Sequence, residues 1–440
     1  MTLASEICRV SVPGQPDGRS RELSESEPAL RRLHPGHFTL PWGLAVFAAF
    51  AMTAPRLSAR DIKPLFPVQI EHEFPNPEAS CREVMELITE HYYTDEVDDK
   101  TLWWGAVEGM LRALSPEENK SLAKIWQPKD YEKIDQSLRG IQESIGIKSS
   151  FNPADGSLTV TEVVPGGPSE TLLKPYDRIV RIDTTPLKGL SVQEVQDLLK
   201  GEVGTRVSLK VVRDVAIFDL LVTRSKVKLH NVRTQAFPGD VEYIALKKFS
   251  KGVSEEIREA IQECVKEGVT RVLLDLRGNT GGVLNEALAC SKLFVAKGKP
   301  VMILVSHGSK MTKYVSDNTE PFDVRLAVLI DKHSASASEI VAAALRDEAG
   351  ALLVGTRTFG KATMEKTFAL KNKYRVRFTN AAIYSPKGKT WQKNGLLPDI
   401  PVDQDVTVAA KLRKLPAKVR LLKDVQLRAA YRVLLAAEPD

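Results

Sequence analysis

Lys332-His333-Ser334-Ala335-Ser336-Ala337-Ser338-Glu339 is a run of small and polar residues between two apolar segments. Leu326-Ala327-Val328-Leu329-Ile330 precedes it, short and unbroken, which predicts a buried strand. Ile340 to Glu348 follows with helical spacing and stops near Gly350. The run is therefore a turn from a strand into a helix. Ser336 and Glu339 have the S-x-x-E spacing of a capping box. Taken alone, Ser336 reads first as an N-cap, the commoner role of such a serine. The same position also suits a nucleophile. A helix start presents unpaired backbone N–H groups and partial positive charge, which can hold an oxyanion beside the attacking oxygen.

Ala351-Leu352-Leu353-Val354-Gly355 predicts a second short buried strand, leading into Thr358-Phe359-Gly360-Lys361. Strand, helix, strand implies a parallel crossover. Ser336 follows the end of the first strand and Lys361 the end of the second. Both therefore come to the carboxyl edge of the sheet, where open α/β sheets place their sites. A lysine kept neutral by burial can act as general base for a serine. Otherwise Lys361 is an ordinary solvated lysine.

Val269 to Leu276 has a strand pattern, Arg277-Gly278-Asn279-Thr280-Gly281-Gly282 a glycine-rich turn, and Leu284 to Phe294 a helical pattern. This turn belongs at the same edge. Its backbone can supply a second oxyanion donor, cradle a phosphate, or simply turn.

Asp275 to Gly282, Ser334 to Ile340 and Phe359-Gly360-Lys361 resemble the three signatures of the C-terminal processing (tail-specific) serine peptidases, in their order and spacing. The resemblance runs from about residue 75 to about residue 405. It implies a Ser/Lys dyad, with Ser336 the nucleophile and Lys361 the general base. It implies an oxyanion hole from the amide of Ala337 and a glycine of the Gly281-Gly282 pair. The implied fold is α+β and multidomain: a helical N-terminal region, a PDZ-like β domain, and an α/β peptidase core of crotonase or ClpP type. No cofactor is implied. The implied partners are protein substrates with exposed C-termini, and a homo-oligomer is compatible with the family.

Two positions at these motifs depart from the family pattern. A glutamine that usually orients the lysine, four residues after it, is here Glu365. A carboxylate beside a lysine favours the ammonium form, which cannot accept a proton. The other is Thr280, where the family usually has proline. Two further readings stay open: an impaired pseudopeptidase that binds peptide tails, and a crotonase-like acyl-CoA enzyme, which would need neither Ser336 nor a PDZ domain.

The chain has 440 residues, room for two to four domains, with ordinary globular hydrophobic (43%) and charged (27%) content. The net charge of +6 is diffuse and gives no reason to expect nucleic acid. Cys8, Cys81, Cys264 and Cys290 have no metal-binding spacing. Cys264 and Cys290 fall in helical patterns and read as buried thiols. The seven histidines form no metal motif. His333 stands three residues before Ser336, where the turn argues against a Ser-His pair.

Residues 1–36 read as disordered. Arg31 and Arg32 precede an apolar run, Phe38 to Ala54, which suits a signal-peptide core or an anchor, with Ala49-Phe50-Ala51 as a cleavage pattern; a buried helix is the alternative. This predicts an extracytoplasmic protein, with membrane attachment through the run left open.

The expected organisation is 1–60 (N-terminus with the apolar segment), 61–136 (helical), 137–228 (PDZ), 229–405 (core) and 406–440 (basic helix). Over 76–136 the spacing predicts helices only. Between 137 and 228, strands are expected at 145–148, 158–164, 178–182 and 207–212, with a helix at 192–199. Here Ser144-Ile145-Gly146-Ile147 resembles a carboxylate-binding loop, implying Ile145, Gly146 and Ile147 as substrate-binding residues. Tyr176 replaces a family glycine. Further on, a strand is expected at 241–246 and a helix from Ser254 to Glu267, begun by Ser254. Residues 411–440 predict one helix, packed on the core or a partner.

Overall fold

The computed structural model describes residues 76–92, 97–114, 122–405, 408, 412 and 415–436, all within the compact unit Ala54–Asp440. The N-terminal segments for which disorder and an apolar run are expected, Cys8, and Ser115 to Glu118 lie outside the described residues.

Three helices open the described chain: α1 (Pro77–His91), α2 (Asp99–Ala113) and α3 (Pro128–Leu138). A strand the local pattern does not predict, β1 (Lys124–Trp126), interrupts them. It exists because Lys124–Trp126 pairs antiparallel with Arg375–Arg377, some 250 residues away, a partner no local periodicity reveals.

The next segment is a small β domain: β2 (Ile141–Ser144), β3 (Ile147–Asn152), β4 (Ser157–Val163), β5 (Arg178–Ile182), β6 (Thr185–Pro186), α4 (Val192–Leu199), β7 (Arg206–Arg213), β8 (Ala216–Thr223) and β9 (Ser225–Lys228). Strands β3-β4-β5-β7-β8 form one sheet with β6 on β5, and β2 pairs with β9 at the base. Val160, Ile179, Val195, Val207 and Leu209 fill its core. Ser191 caps α4 through a reciprocal box with Glu194. Tyr176 holds the left-handed turn (φ 76°) that a glycine would take without strain, with its side chain 85% exposed.

The core follows as β10 (Val232–Phe237), β11 (Val241–Leu246), α5 (Val253–Lys266), β12 (Arg271–Asp275), α6 (Leu284–Lys292), β13 (Pro300–Ser306), β14 (Lys310–Val315), β15 (Arg325–Ile330), α7 (Ala337–Glu348), β16 (Leu352–Gly355), β17 (Thr363–Ala369), β18 (Arg375–Tyr384), β19 (Ile400–Pro401), α8 (Ala417–Lys423) and α9 (Val425–Ala436). The main sheet has the order β10-β11-β12-β15-β16-β19. All neighbours from β11 to β19 are parallel, and β10 is antiparallel. Its strands read as unbroken apolar runs because both faces are covered. Ile244, Leu274, Val328 and Leu353 face one core, with residues of α5, α6 and α7. Tyr243, Leu273, Leu329 and Val354 face another, with Leu427, Ala430 and Leu434 of α9. A second sheet, β1-β18-β13-β14 with β17 on β18, is antiparallel.

Three expectations need correction. The helix expected from Ser254 starts at Val253, with Gly252 in a left-handed conformation at the cap. The carboxylate of Glu286 accepts from the amides of Gly252 and Ser254 and from Ser254 Oγ (2.9, 3.0 and 2.7 Å), so α6 caps α5 from outside. Cys290 is buried, but Cys264 is only partly so. The single C-terminal helix is two, α8 and α9, broken at Asp424. That carboxylate is buried and committed elsewhere.

Candidate active site

Strands β12, β15 and β16 are parallel neighbours, so the chain leaves all three at one edge. Three turns meet there: 276–283, 331–336 and 356–362.

Ser336 ends the second turn with φ 55° and ψ −111°. An ordinary N-cap sits in the β region. A serine here is strained by about 1–3 kcal/mol, a cost that surrounding structure has to offset. Several bonds do so. Asn279 O accepts from the amide of Ala335 (3.0 Å) and from Ser338 Oγ (2.8 Å). Asp331 Oδ1 accepts from the amides of Gly278, His333 and Ser334, and Ser334 Oγ donates to Leu276 O at 2.8 Å. The first turn and the serine turn are thereby one unit. The His333 side chain is exposed and, among the described residues, has no bond to Ser336.

Glu339 ties in the third turn. Its carboxylate accepts from the amide of Ser336 (2.8 Å), the amide of Lys361 (2.9 Å), the amide of Gly360 (2.7 Å) and Thr358 Oγ1 (2.6 Å). It is fully buried. Burial raises its pKa above the ordinary value, and these four donors offset part of the rise.

Gly281 packs against the serine. A Cβ on it would stand 2.8 Å from Ala335 O and 3.0 Å from both Ala337 N and Ser336 Cβ. The amide of Gly281 donates to Asn279 Oδ1 at 2.9 Å, whereas those of Gly282 and Ala337 make no hydrogen bond among the described residues. Gly282 lies against Phe249, bracketed by Val283 N donating to Phe249 O (2.7 Å) and Phe249 N donating to Gly281 O (3.1 Å).

Lys361 lies at the same edge, but its Nζ donates to Glu365 Oε2 at 2.6 Å. Glu365 Oε1 also accepts from Thr363 Oγ1 at 3.1 Å. The ensemble is a strained serine at a helix start, two amides without acceptors beside it, and a lysine on a shared carboxylate staple.

Residues 240–402 match the model of peptidase family S41, and residues 134–212 that of the PDZ domain. The carboxy-terminal processing protease CtpA of Bacillus subtilis (strain 168) is 30% identical over 321 residues, covering 72% of this chain and 66% of that protein. A probable CtpA-like serine protease of Staphylococcus aureus (strain COL) is 28% identical over 323 residues, 73% of this chain and 64% of that protein. This chain belongs to peptidase family S41. It spans just under two thirds of the length of these curated relatives. Among solved structures, a photosystem II D1 C-terminal processing protease aligns with a TM-score of 0.46 at 24% identity, over 75% of this chain and 94% of that one.

The S41 core holds one feature the motifs alone do not show. The Arg277 guanidinium is fully buried between two carboxylates, donating to Asp275 (2.9 and 2.7 Å) and to Asp424 at the α8–α9 break (3.0 Å twice). Gln426 Oε1 accepts from the same guanidinium at 3.0 Å, and Tyr243 Oη donates to Asp275 Oδ2 at 2.7 Å. Burial opposes the charge, but the two carboxylates prevail and hold the guanidinium firmly protonated. The C-terminal helices thus clamp the base of the glycine turn.

In the PDZ domain of this S41 chain, Ile145 is buried in the core and Ile147 starts β3. Gly146 between them has φ 74°, and a Cβ there would stand 2.9 Å from Pro168 Cδ. The Gly146 amide donates to Ser144 Oγ at 3.3 Å and its carbonyl accepts from Val164 N at 2.9 Å, so a ligand that takes this amide displaces the hydroxyl, and the buried Ile145 side chain is out of its reach. Sequence reasoning missed Asn279, Asp331 and Asp424, and credited Glu339 only as a cap. Asn279 stands inside the glycine-rich turn motif. Asp424 carried no signal, since only the fold brings it to Arg277. Among the described residues no His, Cys, Asp and Glu group could hold a metal, and no helix is long and apolar enough to cross a membrane.

Proposed function

We propose that this chain is a serine endopeptidase that cuts near the C-termini of unfolded or tagged proteins. Ser336 Oγ attacks the scissile carbonyl carbon while neutral Lys361 takes its proton. The amide of Ala337 and one from the Gly281-Gly282 turn stabilise the oxyanion. The adduct collapses, the C–N bond breaks, and Lys361 returns the proton to the leaving amine. Water, giving its proton to Lys361, then hydrolyses the acyl ester and restores Ser336. The PDZ domain takes the substrate tail through the backbone of Ile145, Gly146 and Ile147.

The observation that carries this reading is the Glu339 carboxylate, which grips the amides of Ser336 and Lys361 on one oxygen. A serine that only capped a helix would need neither Lys361 nor a positive φ. The family match over residues 240–402 supports the same chemistry and leaves the acyl-CoA reading without an observation in its favour. The test is to incubate the full chain with a disordered protein bearing an apolar C-terminus, beside a Ser336→Ala control. Cleavage that persists in the control overturns the assignment.

A second reading has an observation of its own: Lys361 Nζ is paired with Glu365. On it, the chain binds tails without turnover. Tail binding with no cleavage in the same experiment would favour it. The proposed place of work is outside the cytoplasm, supported by Arg31, Arg32 and the apolar run from Phe38 to Ala54. Cell fractionation checks this, and recovery only from the cytoplasm would refute it.

A further inference from the structure

Strand β17 starts two residues after Lys361 and carries Glu365. Facing residues on neighbouring strands share a face, and every second residue along a strand returns to it. A bulge beside Glu365 shifts the β17–β18 register. Met364 and its partner Ala381 lie on the core, so Glu365 and its partner Thr379 turn the other way. On that side Thr367 faces Arg377 and Ala369 faces Arg375. Across the other edge of β18, Arg377 faces Lys124 and Arg375 faces Trp126. Three cations therefore share the face of the Lys361–Glu365 pair, the nearest row lying about 7 Å along the strand from Glu365.

The two arginines are held in place but not neutralised, and Lys124 beside them is exposed. The Arg377 guanidinium lies over the Trp126 ring, 4.7 Å from its centroid. Its Nε is buried and has no hydrogen-bond partner. The Arg375 guanidinium lies over Tyr131 at 5.5 Å and donates only to the carbonyls of Lys373 and Tyr374. None of the three has a carboxylate partner among the described residues. Stacking holds a guanidinium plane in place and leaves its edge for a planar anion. A half-buried cation without a counter-ion carries a desolvation cost that an incoming carboxylate relieves.

We propose that Arg377, supported by Arg375 and Lys124, is a specificity subsite for acidic side chains of an extended substrate, a reading that rests on the peptidase assignment above. Arg375 and Arg377 are two residues apart, the repeat at which an extended peptide presents side chains to one side. An Asp or Glu, or an alternating pair, leaving the Ser336–Lys361 site along this face meets them. The proposal is for side-chain carboxylates, because the Ser144–Ile147 loop is the assigned holder of the terminal one.

The test uses the full chain and two disordered peptides that differ only in Asp or Asn at alternate positions near the cleaved bond, each with a free or amidated C-terminus. The expected kcat/KM favours Asp over Asn about tenfold, equivalent to one good charge-assisted bond. The preference is carried mainly by KM, weakens with salt and is indifferent to amidation. Arg377→Gln brings the Asp/Asn ratio close to one, while Arg377→Lys keeps part of it. Equal cleavage of both peptides by the wild type, or a preference that survives Arg377→Gln, overturns the proposal. A preference lost on amidation overturns it too, by assigning the row to the terminal carboxylate. Binding of the same peptides to the Ser336→Ala chain separates the two readings. No cleavage by the wild type with an Asp preference in binding sinks the peptidase and keeps the subsite; no preference in binding either sinks the subsite.

Discussion

Lys361 Nζ lies 2.6 Å from Glu365 Oε2, with the two side chains only 22% and 10% exposed. Thr363 Oγ1 holds the other oxygen of that carboxylate. The proposed base is thus half of a largely buried ion pair. An ion pair this well held has to be broken before the amine can serve Ser336. Glu365→Gln keeps an acceptor for the lysine and removes the charge of the pair. The expected result is a rise in kcat on the order of tenfold with KM little changed. Peptide cleavage by the two chains under the same conditions measures this, and an unchanged or slower variant would reject the inhibitory role of Glu365.

Glu339→Gln tests the staple. Four donors converge on this carboxylate, and an amide offers them one oxygen instead of two. The expected cost is about 2–3 kcal/mol of stability, with a fall in kcat larger than any change in KM. The pH dependence has a definite sign. The folded-state pKa lies above the ordinary value of 4.5, chiefly through burial, so the folded state binds the proton more tightly. Stability from this group is fully present below pH 4.5 and is lost as pH rises from there through the folded pKa. The stability gap between wild type and Glu339→Gln should therefore be widest in acid and narrow upward. Denaturant unfolding at several pH values checks it, and a gap that widens with pH contradicts it.

Adjacent glycines should fail differently. Gly281→Ala drives a Cβ against Ala335 O, Ala337 N and Ser336 Cβ, at φ 98°. Gly282→Ala drives one to 2.1 Å from Phe249 O, at φ 149°. The first collision displaces the proposed oxyanion hole, and the second separates the turn from Phe249 in the main core. Gly281→Ala is expected to lose on the order of a hundredfold in kcat while still folding. Gly282→Ala should be the less stable by thermal unfolding. The reverse order of stabilities would show that the roles are exchanged.

The main sheet was legible because its strands, covered on both sides, are nearly pure apolar runs punctuated by glycine turns. Leu326 to Ile330 and Leu352 to Gly355 need no partner to be recognised. β1 was illegible for the opposite reason: Lys124–Trp126 is a strand only because Arg375–Arg377 lies beside it. The site divides the same way. Ser336, Lys361 and the glycine pair stand in compact motifs with characteristic spacing. Glu339 was visible, but its second use required the return of β16 alongside β15, which brings residues 358–361 within reach of α7. Ser254 misled because a serine before Glu255 and Glu256 has the chemistry of a cap, while Glu286 supplies that function from another helix.

The C-terminal clamp gives the last prediction. Arg277 is held by Asp275 from its own turn and by Asp424 from the α8–α9 break, all three side chains without exposed surface. Removing one partner of a buried charge cluster leaves the remaining charge poorly compensated, at about 3–5 kcal/mol. Asp424→Ala should therefore cost far more stability than a substitution on the exposed side of α8, such as Leu422→Ala, where the side chain is 74% exposed. Arg277 is five residues from Gly282, so the loss should also reach turnover. Asp424→Asn, which keeps the shape and an acceptor oxygen, should fall between wild type and Asp424→Ala in both readouts. Urea unfolding and kcat measured on the same preparations test this together. If Asp424→Ala unfolds at the wild-type midpoint, the clamp contributes nothing to the fold. If it is less stable yet keeps full kcat where it remains folded, the C-terminal helices support the sheet without positioning the glycine turn.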